Sequence, residues 1–384
     1  MIKYLFRKKV YRGLAAALDV VGYGFTRLFR RPEASAVSLE NKTILLIRLD
    51  HLGDVLAATG IPQVLKEYCP KSRVIFLVSS WAAPLLENNP FVDELVIYDA
   101  PWFSKRRYAG GKAGLGYFQL IRVLRSKRID IGLGLRGDLR ENFLMACSGI
   151  KTRIGYGVTG GGFLLNREAD YRHGIHETQH ALDLLKTLNL EVKTLVPRIY
   201  FSEKETARFD SRLASLELSD QGRWVGFQVG AGSEAKEWPR ENVRAFFDAF
   251  ATRFKNRRVV LVGSDEAKAK EIVMAHPQLS FVNFAGQTSL RELCLLMKKF
   301  ECFIGHDSGP THLAAVLGIR TIFLYSGTNS FEQWKPLAEE AVVLRRPVPC
   351  SPCGFSVCNV PGHPCLSQIS PEEVIRALEK SRIV

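Results

Sequence analysis

The sequence predicts an α/β protein built from two doubly wound domains. Three observations carry that reading. Short, continuously apolar, β-branched runs alternate with helix-length amphipathic segments. The alternation occurs in two series, parted by a polar stretch over 166–222. The length of 384 residues accommodates two domains. Strands that are apolar throughout belong to parallel sheets covered by helices on both faces.

Residues 1–31 hold eight cations and one acid, Asp19, for a net +7. Ile2, Leu5, Phe6, Val10, Leu14, Ala17, Leu18 and Val21 recur at three- and four-residue spacing. That spacing predicts an amphipathic helix suited to the headgroup plane of an anionic membrane. A cleaved signal peptide is disfavoured, because Asp19 interrupts the apolar stretch and Arg27, Arg30 and Arg31 precede the small residues at 34–36. No apolar run approaches the roughly 20 residues of a membrane-spanning helix.

The first series predicts strands over 43–49, 73–79, 94–98 and 129–135, with helices over 54–68, 81–88, 115–127 and 138–147. The second predicts strands over 224–229, 258–262, 281–284, 302–305 and 320–325. Its helices fall at 240–254, 266–275, 289–299 and 310–317, and a helix over 371–380 closes the chain. The expected organisation is a basic amphipathic extension (1–41), an N-terminal domain (42–205) and a C-terminal domain (206–384). Ligands of such domains bind at the carboxyl ends of the strands.

Charge is local. Residues 101–128 add eight cations and no acid, so the rest of the chain nets −1 against a total of +14. In this patch Trp102, Phe103, Tyr108, Tyr117 and Phe118 interleave with the cations. Two basic patches imply located anionic partners. No recognised nucleic-acid module accompanies them, so nucleic acid is not an expected partner.

Three motifs stand at strand ends. Arg48-Leu-Asp-His-Leu-Gly-Asp54 opens a helix after the first strand; Gly53 permits close backbone approach there. It lacks the glycine spacing of a dinucleotide fingerprint, so hydride chemistry is unsupported. Residues 230–239, containing Ser233, Lys236 and Pro239, follow the first strand of the second series. They read as a surface turn or as a phosphate-binding loop. Asp307-Ser-Gly-Pro-Thr-His312 offers the Ser308 and Gly309 amides and the Ser308 hydroxyl at a helix start, an anion cradle with His312 one turn further on.

Together these motifs resemble the family 9 glycosyltransferases, typified by the ADP-heptose:lipopolysaccharide heptosyltransferases. The resemblance runs over about 43–370 through Arg-x-Asp-x-x-Gly-Asp-Val at 48–55, Lys-x-Trp-Pro at 236–239, residues 286–290, residues 307–315 and Trp334-Lys-Pro-Leu337. It implies a GT-B fold, two doubly wound Rossmann-like domains facing a cleft, with inverting transfer from an ADP-sugar and neither a cofactor nor a required metal. By the same match Asp54 is the catalytic base, a role open to an ordinary aspartate, ionised at neutral pH with a pKa near ~3.9. The match places Ser233, Lys236, Glu266, Thr288, Asp307, Ser308, Gly309 and His312 around the donor. Glu266 would hold the ribose, and Thr288 would line the adenine pocket.

The acceptor side is assigned to Gly53, Lys105, Arg106, Arg107 and Arg140, receiving an anionic, phosphorylated glycolipid. Residues 1–31 would attach the enzyme peripherally to the cytoplasmic face of a bacterial inner membrane. A nucleotide-sugar epimerase of the same architecture and a non-catalytic, membrane-bound nucleotide-sugar-binding protein are the alternatives. Cys350, Cys353, Cys358 and Cys365, with His363 nearby, hold only one close pair, so thiols, a local disulfide and a structural metal all stay open, and no metal is assigned.

Overall fold

A computed structural model describes residues 4, 9–29, 38–103, 115–218, 224–338 and 340–381. The chain divides into two compact units, Met1–Tyr200 and Phe201–Val384.

The first unit runs α1 (Lys9–Phe29), β1 (Thr43–Arg48), α2 (Leu52–Ala58), α3 (Ile61–Tyr68), β2 (Arg73–Val78), β3 (Glu94–Ile97), α4 (Tyr117–Ser126), β4 (Ile131–Gly134), α5 (Leu139–Cys147), β5 (Thr152–Gly155), β6 (Arg167–Glu168) and α6 (Glu177–Lys186). Its strands form one parallel sheet in the order β3-β2-β1-β4-β5-β6. Ile44, Leu45, Leu46 and Ile47 of β1 are fully buried, as a central strand between two helical layers requires.

The second unit runs α7 (Glu203–Ser215), β7 (Trp224–Gln228), α8 (Arg240–Arg253), β8 (Arg258–Val262), α9 (Glu266–Ala275), β9 (Phe281–Asn283), α10 (Leu290–Met297), β10 (Cys302–His306), α11 (Gly309–Val316), β11 (Arg320–Tyr325), α12 (Phe331–Trp334), β12 (Ala341–Arg345), α13 (Pro364–Ser367) and α14 (Pro371–Lys380). The parallel sheet order is β12-β11-β10-β7-β8-β9, the same topology counted from β7. Phe227 packs on Phe246 and Phe247 of α8, and Val374, Ile375 and Leu378 of α14 join the same core. In each sheet the strand order reverses between its first and fourth strands, β1/β4 and β7/β10. Doubly wound folds bind ligands beyond the carboxyl ends of the strands at that switch point.

Several elements differ from expectation. The single helix expected over 54–68 is two, α2 and α3. A Cβ at Gly60 would stand 2.4 Å from the Val196 carbonyl oxygen, so a crossing backbone occupies the place of a straight continuation. The helix expected over 81–88 is a 3-10 turn, Ala83–Leu85. The polar stretch 166–222 carries β6, α6 and α7, and β5, β12, α12 and α13 were also not expected. α7 buries only Phe209 and Leu213, and α6 buries Glu177, Thr178 and His180 among its apolar residues, so neither shows a clear apolar period.

α1 lies against the first unit. Buried Ala15 meets Gly160, and a Cβ at Gly22 would stand 2.3 Å from the Phe163 ring. The Asp19 carboxylate accepts from the Gly161 amide at 2.7 Å and the Tyr4 hydroxyl at 2.9 Å, while the Tyr23 hydroxyl donates to Glu168. Asp19 thus interrupts the apolar pattern because it binds the helix to the domain. Val10 (71% exposed), Leu14 (62%), Val21 (73%) and Phe25 (65%) form an outward row along the same helix.

Candidate functional site

In the first unit β1 ends in a buried charge cluster. Arg48 Nε meets Asp50 Oδ1 at 2.7 Å, and one terminal nitrogen meets both Asp54 Oδ1 (2.6 Å) and Glu177 Oε1 (2.9 Å). The other donates to the Leu135 carbonyl at 3.0 Å, at the end of β4. Arg136 holds the second oxygen of Asp50 at 2.7 Å. Asp50 is fully buried, and Asp54, in the first turn of α2 beside Gly53, is 9% exposed. Such a cluster is stable only because every charge has a partner. Burial and Asp50 raise the Asp54 carboxyl, Arg48 opposes them and Glu177 adds to the rise, leaving it at about 7. Asp54 is therefore not the ordinary carboxylate of the sequence reading. It is poised near neutrality, where a general base is most effective.

Arg136 and Arg140 face aromatic rings. The Arg136 guanidinium lies 4.4 Å over Phe103, and that of Arg140 lies 4.3 Å over Trp102. Asp138, the N-cap of α5, holds Arg140 through two oxygens. A cation stacked on an aromatic and pinned by a carboxylate is oriented in advance. Lys105, Arg106 and Arg107 lie outside the described residues.

In the second unit the β7 and β10 loops meet. Gln228, the last residue of β7, has its Nε2 2.8 Å from Ser308 Oγ, and its Oε1 accepts from Thr311 Oγ1 at 3.1 Å. Lys236 donates to the Asp307 carbonyl at 3.0 Å and lies 3.5 Å from its carboxylate. The family resemblance placed Asp307 beside the donor. The structure buries it and engages its carboxylate with Ser326 (2.9 Å), Asn329 (3.2 Å) and Thr328 (3.4 Å). It enters the site as the organiser of the 326–329 loop.

Ser308 caps α11, with Gly309 as its first residue. His312 is half-buried, edge-on to Phe323 at 5.0 Å and Trp334 at 6.3 Å, which gives the Trp334 motif a packing role. Ser233 and Thr288 are also half-buried; Ser233 precedes the 3-10 turn Glu234–Lys236, and Thr288 precedes the N-cap of α10. Glu266 opens α9, and Gly286 (φ +71°) faces it so closely that a Cβ there would stand 2.5 Å from Glu266 Oε1. Glu237 ties the loop, accepting from Ala231 N at 3.1 Å and pairing with Lys268 at 2.5 Å. Ser308, Gly309 and Lys236 thus share the β7/β10 switch point, a polar cradle suited to an anion.

Sequence reasoning missed the hub that Arg48 forms with Asp50, and missed Arg136, Glu177 and Gln228 altogether. Arg48 and Asp50 stood inside the quoted motif. Glu177 had no signal, because its stretch carried no motif. All eight cysteines are unpaired, and no group of three or more His, Cys, Asp or Glu among the described residues is arranged to hold a metal.

The model of glycosyltransferase family 9 (heptosyltransferase) matches residues 117–362. Lipopolysaccharide heptosyltransferase 2 of Escherichia coli is 27% identical over 325 residues, 79% of this chain and 87% of that protein. A putative glycosyltransferase of Haemophilus influenzae is 25% identical over 307 residues, 77% of this chain and 86% of that protein. Among solved structures, the family 9 glycosyl transferase of Veillonella parvula superposes with a TM-score of 0.76 at 23% identity, covering 90% of this chain and 98% of that one. The Escherichia coli ADP-heptose lps heptosyltransferase II does so at 0.69 and 23% identity, covering 88% and 98%. The shared architecture is the GT-B fold.

Proposed function

The chain belongs to glycosyltransferase family 9, the heptosyltransferases, and on that premise we propose that it transfers sugar by direct displacement. The donor is an ADP-sugar carrying a heptose or a related sugar. The acceptor is a phosphorylated lipopolysaccharide-core or lipid-linked saccharide. Asp54 takes the proton of the acceptor hydroxyl as that oxygen attacks the anomeric carbon. The bond to phosphate breaks on the opposite face, so ADP leaves and the anomeric configuration inverts.

The observation that carries this reading is Asp54 itself, a buried carboxyl at the β1/β4 switch point raised to about 7 and joined to Arg48 at 2.6 Å. Lys236 and the amides of Ser308 and Gly309 offset the charge that grows on the departing diphosphate. Ser233 and His312 border it, Glu266 holds the ribose, Thr288 lines the adenine pocket, and Asp307 fixes the loop around them. Gly53, Arg140, Lys105, Arg106 and Arg107 receive the phosphorylated acceptor.

Residues 1–31 attach the enzyme peripherally to the cytoplasmic face of the inner membrane. The outward apolar row of α1 and the +7 charge of this segment support that placement. No helix among the described residues is long and apolar enough to cross a membrane.

The test is ADP release from ADP-heptose, with and without a deacylated, phosphorylated core acceptor. Release that requires the acceptor is expected. Acceptor-independent conversion of the nucleotide sugar, or binding with no turnover, would contradict transfer.

A further inference from the structure

Glu177 and His180 lie one turn apart on α6 behind Arg48, and the proposed transfer gives neither a step. Glu177 is 7% exposed and His180 is 2% exposed. Glu177 Oε1 shares one terminal nitrogen of Arg48 with Asp54, so the two carboxylates compete for the same charge. The other oxygen of Glu177 lies 3.3 Å from His180 Nδ1. His180 Nε2 lies 2.8 Å from the Arg172 carbonyl oxygen, which can only accept, so Nε2 carries a proton. A neutral ring would then point the lone pair of Nδ1 at a carboxylate. A second proton on Nδ1 makes the contact favourable. The Tyr171 ring, stacked on the imidazole at 4.2 Å, favours a cation there.

A charge tally of the proton-accepting state, in which Asp54 is ionised, agrees. Arg48 and Arg136 then supply two positive charges, and Asp50, Asp54 and Glu177 supply three negative ones. An imidazolium at His180 closes that difference inside a buried cluster. The remaining charged groups nearby are Glu141 of α5, the Asp138–Arg140 ion pair beside Arg136 and the Arg172–Asp183 ion pair. Burial raises the Glu141 carboxyl well above its ordinary value, and Arg172 and Asp183 offset each other.

We propose that Glu177 and His180 are a positioning pair that sets how much of the Arg48 charge reaches Asp54, and so how readily Asp54 accepts the acceptor's proton. The imidazolium offsets Glu177 and leaves Arg48 to Asp54. Neither residue touches substrate. The inference rests on Asp54 acting as base.

The experiment is the pH profile of kcat for the full chain with ADP-heptose and a deacylated, phosphorylated core acceptor. Glu177→Gln removes the competing charge, so the acidic limb moves down by about one pH unit. His180→Gln removes the offsetting cation, so the limb moves up by a similar amount. A purely structural role would lower kcat in both without opposite shifts. Unshifted limbs, or shifts in the same direction, overturn the pair while Asp54→Asn stays slowed by about 100-fold or more. Turnover by Asp54→Asn at the wild-type rate overturns the base reading itself. If either variant fails to fold, nitrogen-15 NMR of histidine-labelled wild type decides. Protons on both ring nitrogens of His180 at pH 7 are expected, and a bare Nδ1 overturns the proposal.

Discussion

The proposed chemistry turns on a carboxyl that burial has made unlike a surface aspartate. Asp54 must be ionised to accept a proton, and it is raised to about 7. Transfer should therefore climb with pH through a limb near 7 and fall away below it, as a pH profile of kcat will read. The same shift has a stability consequence of definite sign. An acid whose folded pKa exceeds its unfolded value stabilises the fold while protonated, and that contribution is lost as pH rises from about 4 to about 7. Asp54→Asn abolishes the buried charge, so its Tm should exceed that of wild type by more at pH 8 than at pH 5. Thermal melts at the two pH values check this. At this scale the sequence showed the position of Asp54 but not its state, because burial and the approach of Glu177 from 123 residues away are tertiary facts.

Secondary elements decide what each loop can do. The β7 and β10 loops meet through Gln228 and Lys236, and Lys236 stands against Asp307. Removing one preorganised cation from a developing diphosphate costs roughly 100-fold in rate. Lys236→Ala should lose about that much in kcat and also weaken ADP binding, measured by calorimetry. α1 makes a separate case. Its Asp19 satisfies the Gly161 amide, and losing such a buried acceptor costs about 1–3 kcal/mol. Asp19→Ala should expose α1 to proteolysis while leaving kcat on a soluble acceptor unchanged. Strands and long helices were legible because apolar periodicity is strong where both faces are covered. α6 was not, since its buried residues include Glu177, Thr178 and His180, and no apolar stripe announces them. Likewise the break between α2 and α3 depends on the Val196 backbone crossing at Gly60, which no local pattern records.

Across the molecule, two units of identical strand order each place a polar constellation at their own switch point. One holds the raised Asp54 carboxyl and the other a polar cradle, a division that fits the proposed transfer. The +14 charge is concentrated in residues 1–31 and 101–128, the two segments proposed to meet the membrane and the acceptor. Serine at Val10, Leu14, Val21 and Phe25 should weaken binding to anionic vesicles at least tenfold in co-sedimentation, since each large side chain contributes about 1.5–3 kcal/mol when buried in lipid. Reversing Lys105, Arg106 and Arg107 should raise the acceptor KM and spare that of the donor. The most direct test of the central claim is single-turnover transfer by Asp54→Asn with saturating ADP-heptose and core acceptor. Donor affinity close to wild type with transfer slowed about 100- to 10,000-fold is the predicted result. Transfer at the wild-type rate would contradict Asp54 as the base.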